Sequence, residues 1–120
     1  MPIFISNAVE GKNLVVNGQG TRRQTYLDVR DLGKVIKDNF GKKNIAGTYI
    51  IAGEKAISNL DLAHLCIAKA KSKSQVVFSG KQDVADGVVW DYDCSRAREK
   101  LGFVPQYSIE DSVEWMIGKV

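Results

Sequence analysis

The sequence predicts a small mixed α/β fold, and three observations carry that reading. Helix-period and strand-period apolar patterns alternate along the 120 residues. Ser or Asp stands ahead of most helical patterns as an N-cap. The strand-like runs are short and rich in Val, Ile and Tyr, the residues that suit a pleated surface. One domain is expected over residues 1–120, because no repeat, low-complexity tract or long linker interrupts the pattern. A compact chain of this length hides roughly two-thirds of its unfolded surface, which suffices for one core.

Taken in order, Pro2 opens a helix with Phe4, Ile5, Ala8 and Val9 on one face and Gly11 just past its end. Leu14, Val15 and Val16 form a strand, and Asn17-Gly18 marks its turn. Residues 25–29 alternate as a strand, after which Asp28 and Asp31 open a helix. Its apolar positions, Leu32, Val35, Ile36 and Phe40, are spaced to make one buried face. Residues 48–52 form a nearly continuous apolar run, as in a strand buried on both sides of a parallel sheet. Ser58 caps the next helix, with Asp61 completing a capping-box spacing. Its stripe of Leu62, Leu65, Cys66 and Ala70, widened by Ala63 and Ile67, makes Cys66 a core residue. Residues 75–78 are a strand and 80–87 a solvated polar loop. Asp93 caps a helix through Ala97 and Leu101, stopped by Gly102 and Pro105. Ser108 caps the last helix, whose stripe is Ile109, Val113, Met116, Ile117 and Val120.

Composition narrows the function classes. Apolar residues at 44% and charged residues at 26% are ordinary for a soluble globular protein. A net charge of +3 is too small to imply nucleic acid. Two cysteines, Cys66 and Cys94, make no disulfide framework and have no metal-ligand spacing, so a reducing cytoplasm is expected. No apolar run approaches the ~20 residues of a membrane span. The aspartates at 83, 86, 91 and 93 do not have the spacing of a calcium loop, and the lone His64 has no acid or nucleophile beside it.

Residues 18–31 organise the rest. Gly18 and Gly20 allow a turn whose backbone approaches another group closely, and Arg22 and Arg23 follow at once. Glycine turn, basic pair, strand and capped helix in succession predict an anion site on a rigid scaffold. The turn is not a dinucleotide fingerprint, because Arg23 stands where the third glycine belongs. Nor does any tyrosine carry a lysine four residues on: Tyr26, Tyr49, Tyr92 and Tyr107 are followed by Arg30, Gly53, Arg96 and Asp111. No nucleophile, base and orienter set is present, so no catalytic residue, metal ligand or cofactor-binding residue is assigned in this chain.

The distributed pattern resembles the C-terminal, substrate-binding part of the extended short-chain dehydrogenase/reductases, the NAD-dependent epimerase/dehydratase family that acts on nucleotide sugars. The matching pieces are the Pro-x-Phe-Ile helix with Gly11, the LVVNGQG strand and turn, and Tyr26, Val29 and Asp31 ahead of a helix. GTYIIAG with Ser58 follows, and then the long tail DCSRAREKLGFVPQYSIEDSVEW. The resemblance implies a substrate lobe whose NAD- or NADP-binding half and catalytic tyrosine and lysine lie outside this chain. It also implies that residues 48–52 are an edge strand whose neighbour is absent. A nucleotide sugar or other phosphorylated ligand would meet its phosphates at Arg22, Arg23, Gln24 and Lys81, and its base around Val16 and Asn17. At two of these positions the chain departs from the family: Gln24 and Lys81 stand where the family uses arginine, and lysine is a point charge without the bidentate fork.

Three functions follow as expectations. The first is a substrate-binding segment of a nucleotide-sugar epimerase or dehydratase, inactive alone. The second is a stand-alone interaction module that forms a homo-oligomer through the open edge at Tyr49, Ile50 and Ile51. The third is a phosphate- or RNA-binding domain using Arg22, Arg23, Lys42, Lys43, Lys69, Lys71 and Lys73.

Overall fold

The computed structural model describes residues 1–120. Its elements run α1 (Pro2–Val9), β1 (Leu14–Val16), β2 (Arg23–Gln24), α2 (Val29–Asn39), β3 (Ile57–Ser58), α3 (Asn59–Lys69), β4 (Val76–Phe78), α4 (Ser95–Leu101) and α5 (Ile109–Ile117). This is the small mixed α/β arrangement that the alternating patterns predict. β1 and β4 pair in parallel, Leu14 against Val76 through Val16 against Phe78. β2 and β3 form a two-residue antiparallel ladder, Arg23 against Ser58 and Gln24 against Ile57.

The principal core lies where α1, α3 and α5 meet β1. Ile5, Ala8, Leu14, Val16, Leu62, Ala63, Cys66 and Val113 are buried there together. The caps aim these helices. The Ser58 hydroxyl accepts the Asp61 N–H at 3.0 Å, and Ser108 and Asp111 form a reciprocal capping box at the start of α5. Cys66 is a core residue, as its stripe predicts: burial pushes its thiol up to about 11, and both cysteines are free. Val120 falls outside α5 and is exposed.

A second, smaller cluster contains only Val35, Ala97 and Phe103, with Leu27, Tyr49, Ile51 and Leu101 packed around it. Two sequence expectations are corrected here. The apolar face of α2 is not buried as a unit: Val35 is, whereas Leu32, Ile36 and Phe40 are exposed, Phe40 by 88%. Residues 48–52 join no ladder, and residues 43–55 make no backbone–backbone hydrogen bond at all. Strand formation needs a neighbouring backbone in hydrogen-bonding register, and residues 48–52 meet none, although Gly53 packs closely on the Tyr26 backbone. The strand expected at 25–29 does not form either; the ladder lies just ahead of it, at Arg23–Gln24. The Asp28 side chain accepts the Arg30 N–H at 2.8 Å and starts α2 at Val29, cutting the ladder short. At α4 the cap position is Cys94; Asp93 accepts the Ser95 N–H from one residue further upstream.

The molecule is a plate of 50 × 32 × 15 Å. Its radius of gyration is 16.6 Å, where about 14 Å is usual for this length. It exposes 7986 Å², against about 6,400 Å² for an ordinary monomer of its mass. A plate 15 Å thick is scarcely more than one layer, so much apolar surface remains uncovered.

Two carboxylates at the head of α2 join the clusters. Asp28 is gripped by the Arg30 guanidinium at 2.9 Å through both oxygens and receives the Ser112 hydroxyl of α5 at 2.6 Å. Arg30 in turn lies 3.7 Å from the ring centre of Tyr107 and 5.1 Å from that of Trp115. Asp31, also buried, accepts the Gln106 and Tyr107 N–H groups at 3.0 and 3.2 Å.

Two expected outcomes follow from this packing. The Arg30 guanidinium foremost, then the Ser112 hydroxyl and the Arg30 N–H, hold the Asp28 carboxyl far below the usual carboxylate range against the opposing cost of burial. The folded-state value is thus below the unfolded one. The stability Asp28 contributes is complete above the ordinary carboxylate range and is lost as pH falls through the depressed value. Asp28→Asn should cost about 1–3 kcal/mol near neutral pH. In urea titrations the gap from wild type should narrow toward about pH 3; a gap constant with pH would contradict the assignment. Cys66→Ser should cost about 1–3 kcal/mol by burying a hydroxyl without a partner, and an unchanged melting temperature would count against it.

Candidate ligand-binding site

The carboxyl ends of β1 and β4 lead into two loops laced together residue by residue. Gly18 donates its N–H to the Lys81 carbonyl at 2.7 Å, Ser79 donates to the Val16 carbonyl at 2.9 Å, and Arg23 donates to the Val88 carbonyl at 2.9 Å. The turn at 18–21 does enclose an anion, and that anion is the chain's own Asp86. Its carboxylate accepts the Gln19 N–H at 2.8 Å, the Thr21 N–H at 3.1 Å and the Thr21 hydroxyl at 3.0 Å. The Gln19 N–H foremost, with the Thr21 donors, holds the Asp86 carboxyl below its usual range against the cost of partial burial. Gly18, at φ +57°, is required here, because a Cβ on it would stand 2.0 Å from an Asp86 oxygen. The 80–87 loop is therefore not the freely solvated loop its polar sequence predicts.

Beside the turn is a cavity of about 280 Å³. Met1, Ile3 and Phe4 of the N-terminal helix form one wall, Val15, Val16 and Asn17 another, and Leu62 and Asn59 of α3 contribute to the lining. Arg22, Gln24, Tyr26 and Asp83 supply its polar groups. The Arg22 Nε is buried without a hydrogen-bond partner, 3.6 Å from an Asp83 oxygen. Asn17 accepts the Ser79 hydroxyl at 2.7 Å, and the Gln24 amide donates to the Tyr26 hydroxyl.

Four of the six residues singled out in the sequence, Val16, Asn17, Arg22 and Gln24, line this one cavity. Arg23 does not. Strand alternation turns it to the other face, where it donates to the Ala56 carbonyl at 2.8 Å and lies 3.9 Å from Asp61. Lys81 lines an adjoining cleft with Gly18, Gln19 and Asp86. Asp83 and Asp86 are the residues that sequence reasoning missed. Their contacts on Arg22 and Thr21 span more than sixty positions, and the only local signal was two aspartates set between Gly80 and Gly87.

The lining offers one guanidinium, three amides (Asn17, Gln24 and Asn59), a phenol and the Asp83 carboxylate among apolar side chains, which suits a planar ring carrying an anionic group. His64 is exposed on the far side of α3, and no group of three His, Cys, Asp or Glu side chains is placed to hold a metal ion. No helix is long and apolar enough to cross a membrane.

The fold is that of the C-terminal part of the extended short-chain dehydrogenase/reductases, the NAD-dependent epimerase/dehydratase proteins. Among solved structures, a UDP-glucose 4-epimerase of Thermotoga maritima, crystallised with UDP-glucose, superposes with a TM-score of 0.84 at 20% identity. That match covers 97% of this chain and 37% of the epimerase. A UDP-glucuronic acid 4-epimerase of Bacillus cereus, in complex with UDP-glucuronic acid and NAD, gives 0.80 at 23% identity over 97% of this chain and 38% of its own. In sequence, the chain is 25% identical to a dTDP-glucose 4,6-dehydratase of Streptomyces niveus over 119 residues, 96% of this chain and 35% of the dehydratase. The chain thus spans about a third of the curated relatives it matches. No family model matches the sequence.

The residues present do not fit NAD. The turn with the spacing of a fingerprint's first two glycines has its donors occupied by Asp86, and a pyrophosphate there would meet a carboxylate. No step is assigned to that cofactor in this chain.

Proposed function

We propose that this chain is the substrate-binding segment of a nucleotide-sugar epimerase- or dehydratase-like protein and that the cavity at Arg22 receives the nucleoside diphosphate. The observation that carries this reading is the Arg22 Nε, buried without a hydrogen bond, 3.6 Å from Asp83, in a cavity lined by apolar side chains and neutral amides. A buried donor without a partner costs free energy that an anionic oxygen would recover. Arg22 and Gln24 take the phosphates, and Val16 and Asn17 border the base. Arg23 and Lys81 stand outside that cavity and contribute at most through longer-range charge. The two proton-carrying groups in the lining are engaged, Tyr26 with Gln24 and Asp83 with Arg22, and no nucleophile, base and orienter set stands there, so in this reading the isolated chain binds without converting its ligand. In calorimetric titrations with UDP-glucose and dTDP-glucose, Arg22→Ala should weaken binding by about 1.5–3 kcal/mol, roughly ten- to a hundredfold. Equal affinity in variant and wild type would remove Arg22 from the site.

A second reading rests on residues 43–55, which have no backbone partners, and on the exposed side of α2. The excess of roughly 1,600 Å² over an ordinary monomer is about twice what one partner buries in a standard interface. A strand added beside 48–52 would satisfy that backbone, supplied either by a dinucleotide-binding half or by a second copy. If a second copy supplies it, Ile50→Lys should weaken the oligomer while leaving the melting temperature of the chain nearly unchanged, because Ile50 is half exposed. A monodisperse monomer at high concentration in light scattering would leave the dinucleotide-binding half as the partner.

A further inference from the structure

Three donors of the 18–21 turn converge on one side chain that the ligand-binding reading does not use. Asp86 takes the Gln19 and Thr21 N–H groups and the Thr21 hydroxyl, while the Gly87 N–H donates back to that same hydroxyl at 2.9 Å. The backbone is shaped for this carboxylate, with Gly18 and Gly20 both at positive φ and no room for a Cβ on Gly18. Between the two aspartates the chain makes one tight turn. Asp86 donates its N–H to the Asp83 carbonyl at 3.1 Å, and Asp83 Oδ1 accepts the Ala85 N–H at 3.0 Å. That bond leaves Asp83 Oδ2 as the oxygen that stands 3.6 Å from the Arg22 Nε.

We propose that Asp86 is a positioning residue, an internal anion that fastens the 80–87 loop to the 18–21 turn and thereby sets Asp83 against Arg22 in the cavity. Fixing Asp86 fixes Asp83, because the turn between them leaves the second little freedom once the first is held. Arg22, a long side chain with many rotamers, is then pre-set at the cavity rather than ordered when the ligand arrives. The glycine turn is a device of assembly between two distant loops, and the ligand's phosphates bind beside it. The consequence for affinity rests on the reading that the Arg22 cavity takes a nucleoside diphosphate; the fastening itself does not.

The test uses the 120-residue chain with Asp86→Ala, Asp86→Asn and formate as a replacement anion. In Asp86→Ala the Gln19, Thr21 and Gly87 amides should exchange with solvent roughly tenfold faster. Millimolar formate should restore their protection by filling the space the carboxylate left. Asp86→Asn, which fills that space without the charge, should also lose protection and gain nothing from formate. UDP-glucose affinity should fall several-fold in Asp86→Ala and return with formate, while formate leaves wild type unchanged. Wild-type protection of these amides in both variants would overturn the fastening, as would a loss that formate does not restore in Asp86→Ala. Restored protection without restored affinity would overturn the link to Arg22. If Arg22→Ala binds UDP-glucose as wild type does, the ligand-site reading fails, and the amide measurements still decide the fastening.

Discussion

Asp28 and Asp31 hold together two hydrophobic clusters that share no buried residue. The larger is built from α1, α3, α5 and β1, and the smaller from α2, α4 and the segment near Ile51. Between them the Ser112 hydroxyl reaches Asp28 across 84 positions of sequence, and Asp31 takes two amides ahead of α5. A buried carboxylate without such partners would cost several kcal/mol. Here every oxygen is paired, and Arg30 carries its charge out between Tyr107 and Trp115. The cap that starts α2 is thus also the hinge pin of the plate. One residue serves local helix initiation and long-range docking, so neither can move without the other.

The same division explains what could be read from the sequence. Helix positions and caps were legible because they depend on neighbours three or four residues away: Ser58 with Asp61 and Ser108 with Asp111 are local chemistry. The buried stripe of α3 was legible for the same reason, Cys66 included. Two strands, β1 and β4, were legible from their β-branched runs, but the strands expected at 25–29 and 48–52 were not realised, since a ladder belongs to two segments at once. Residues 48–52 have the composition of a central strand and lie without partners, and the spacing of Leu32, Ile36 and Phe40 marks an apolar face without saying what covers it. Those two misfits lie beside the same smaller cluster, where apolar side chains and strand-like backbone are left facing solvent.

In the site, the glycine turn holds an anion, but that anion is the chain's own Asp86, held by Gln19 and Thr21 and not by the basic pair. Asp86 is 65 residues from Thr21, and nothing local links them. Of the adjacent arginines, alternation separates the roles: Arg22 enters the cavity, while Arg23 braces β3 and α3 through Ala56 and Asp61. The positive charge at the cavity is therefore a single guanidinium with a carboxylate beside it. Its local field is modest, so the cavity is shaped more by packing and directed hydrogen bonds than by attraction at a distance.

The thinness of the plate also governs how the chain comes apart. Denaturant sensitivity and the heat-capacity change of unfolding both scale with the surface newly exposed. A molecule only 15 Å thick has already exposed much of what a rounder one would hide. Its unfolding curve should be correspondingly shallow in urea. With its apolar contacts divided between two clusters, the side containing α2 and α4 can open while the helices around Cys66 stay packed.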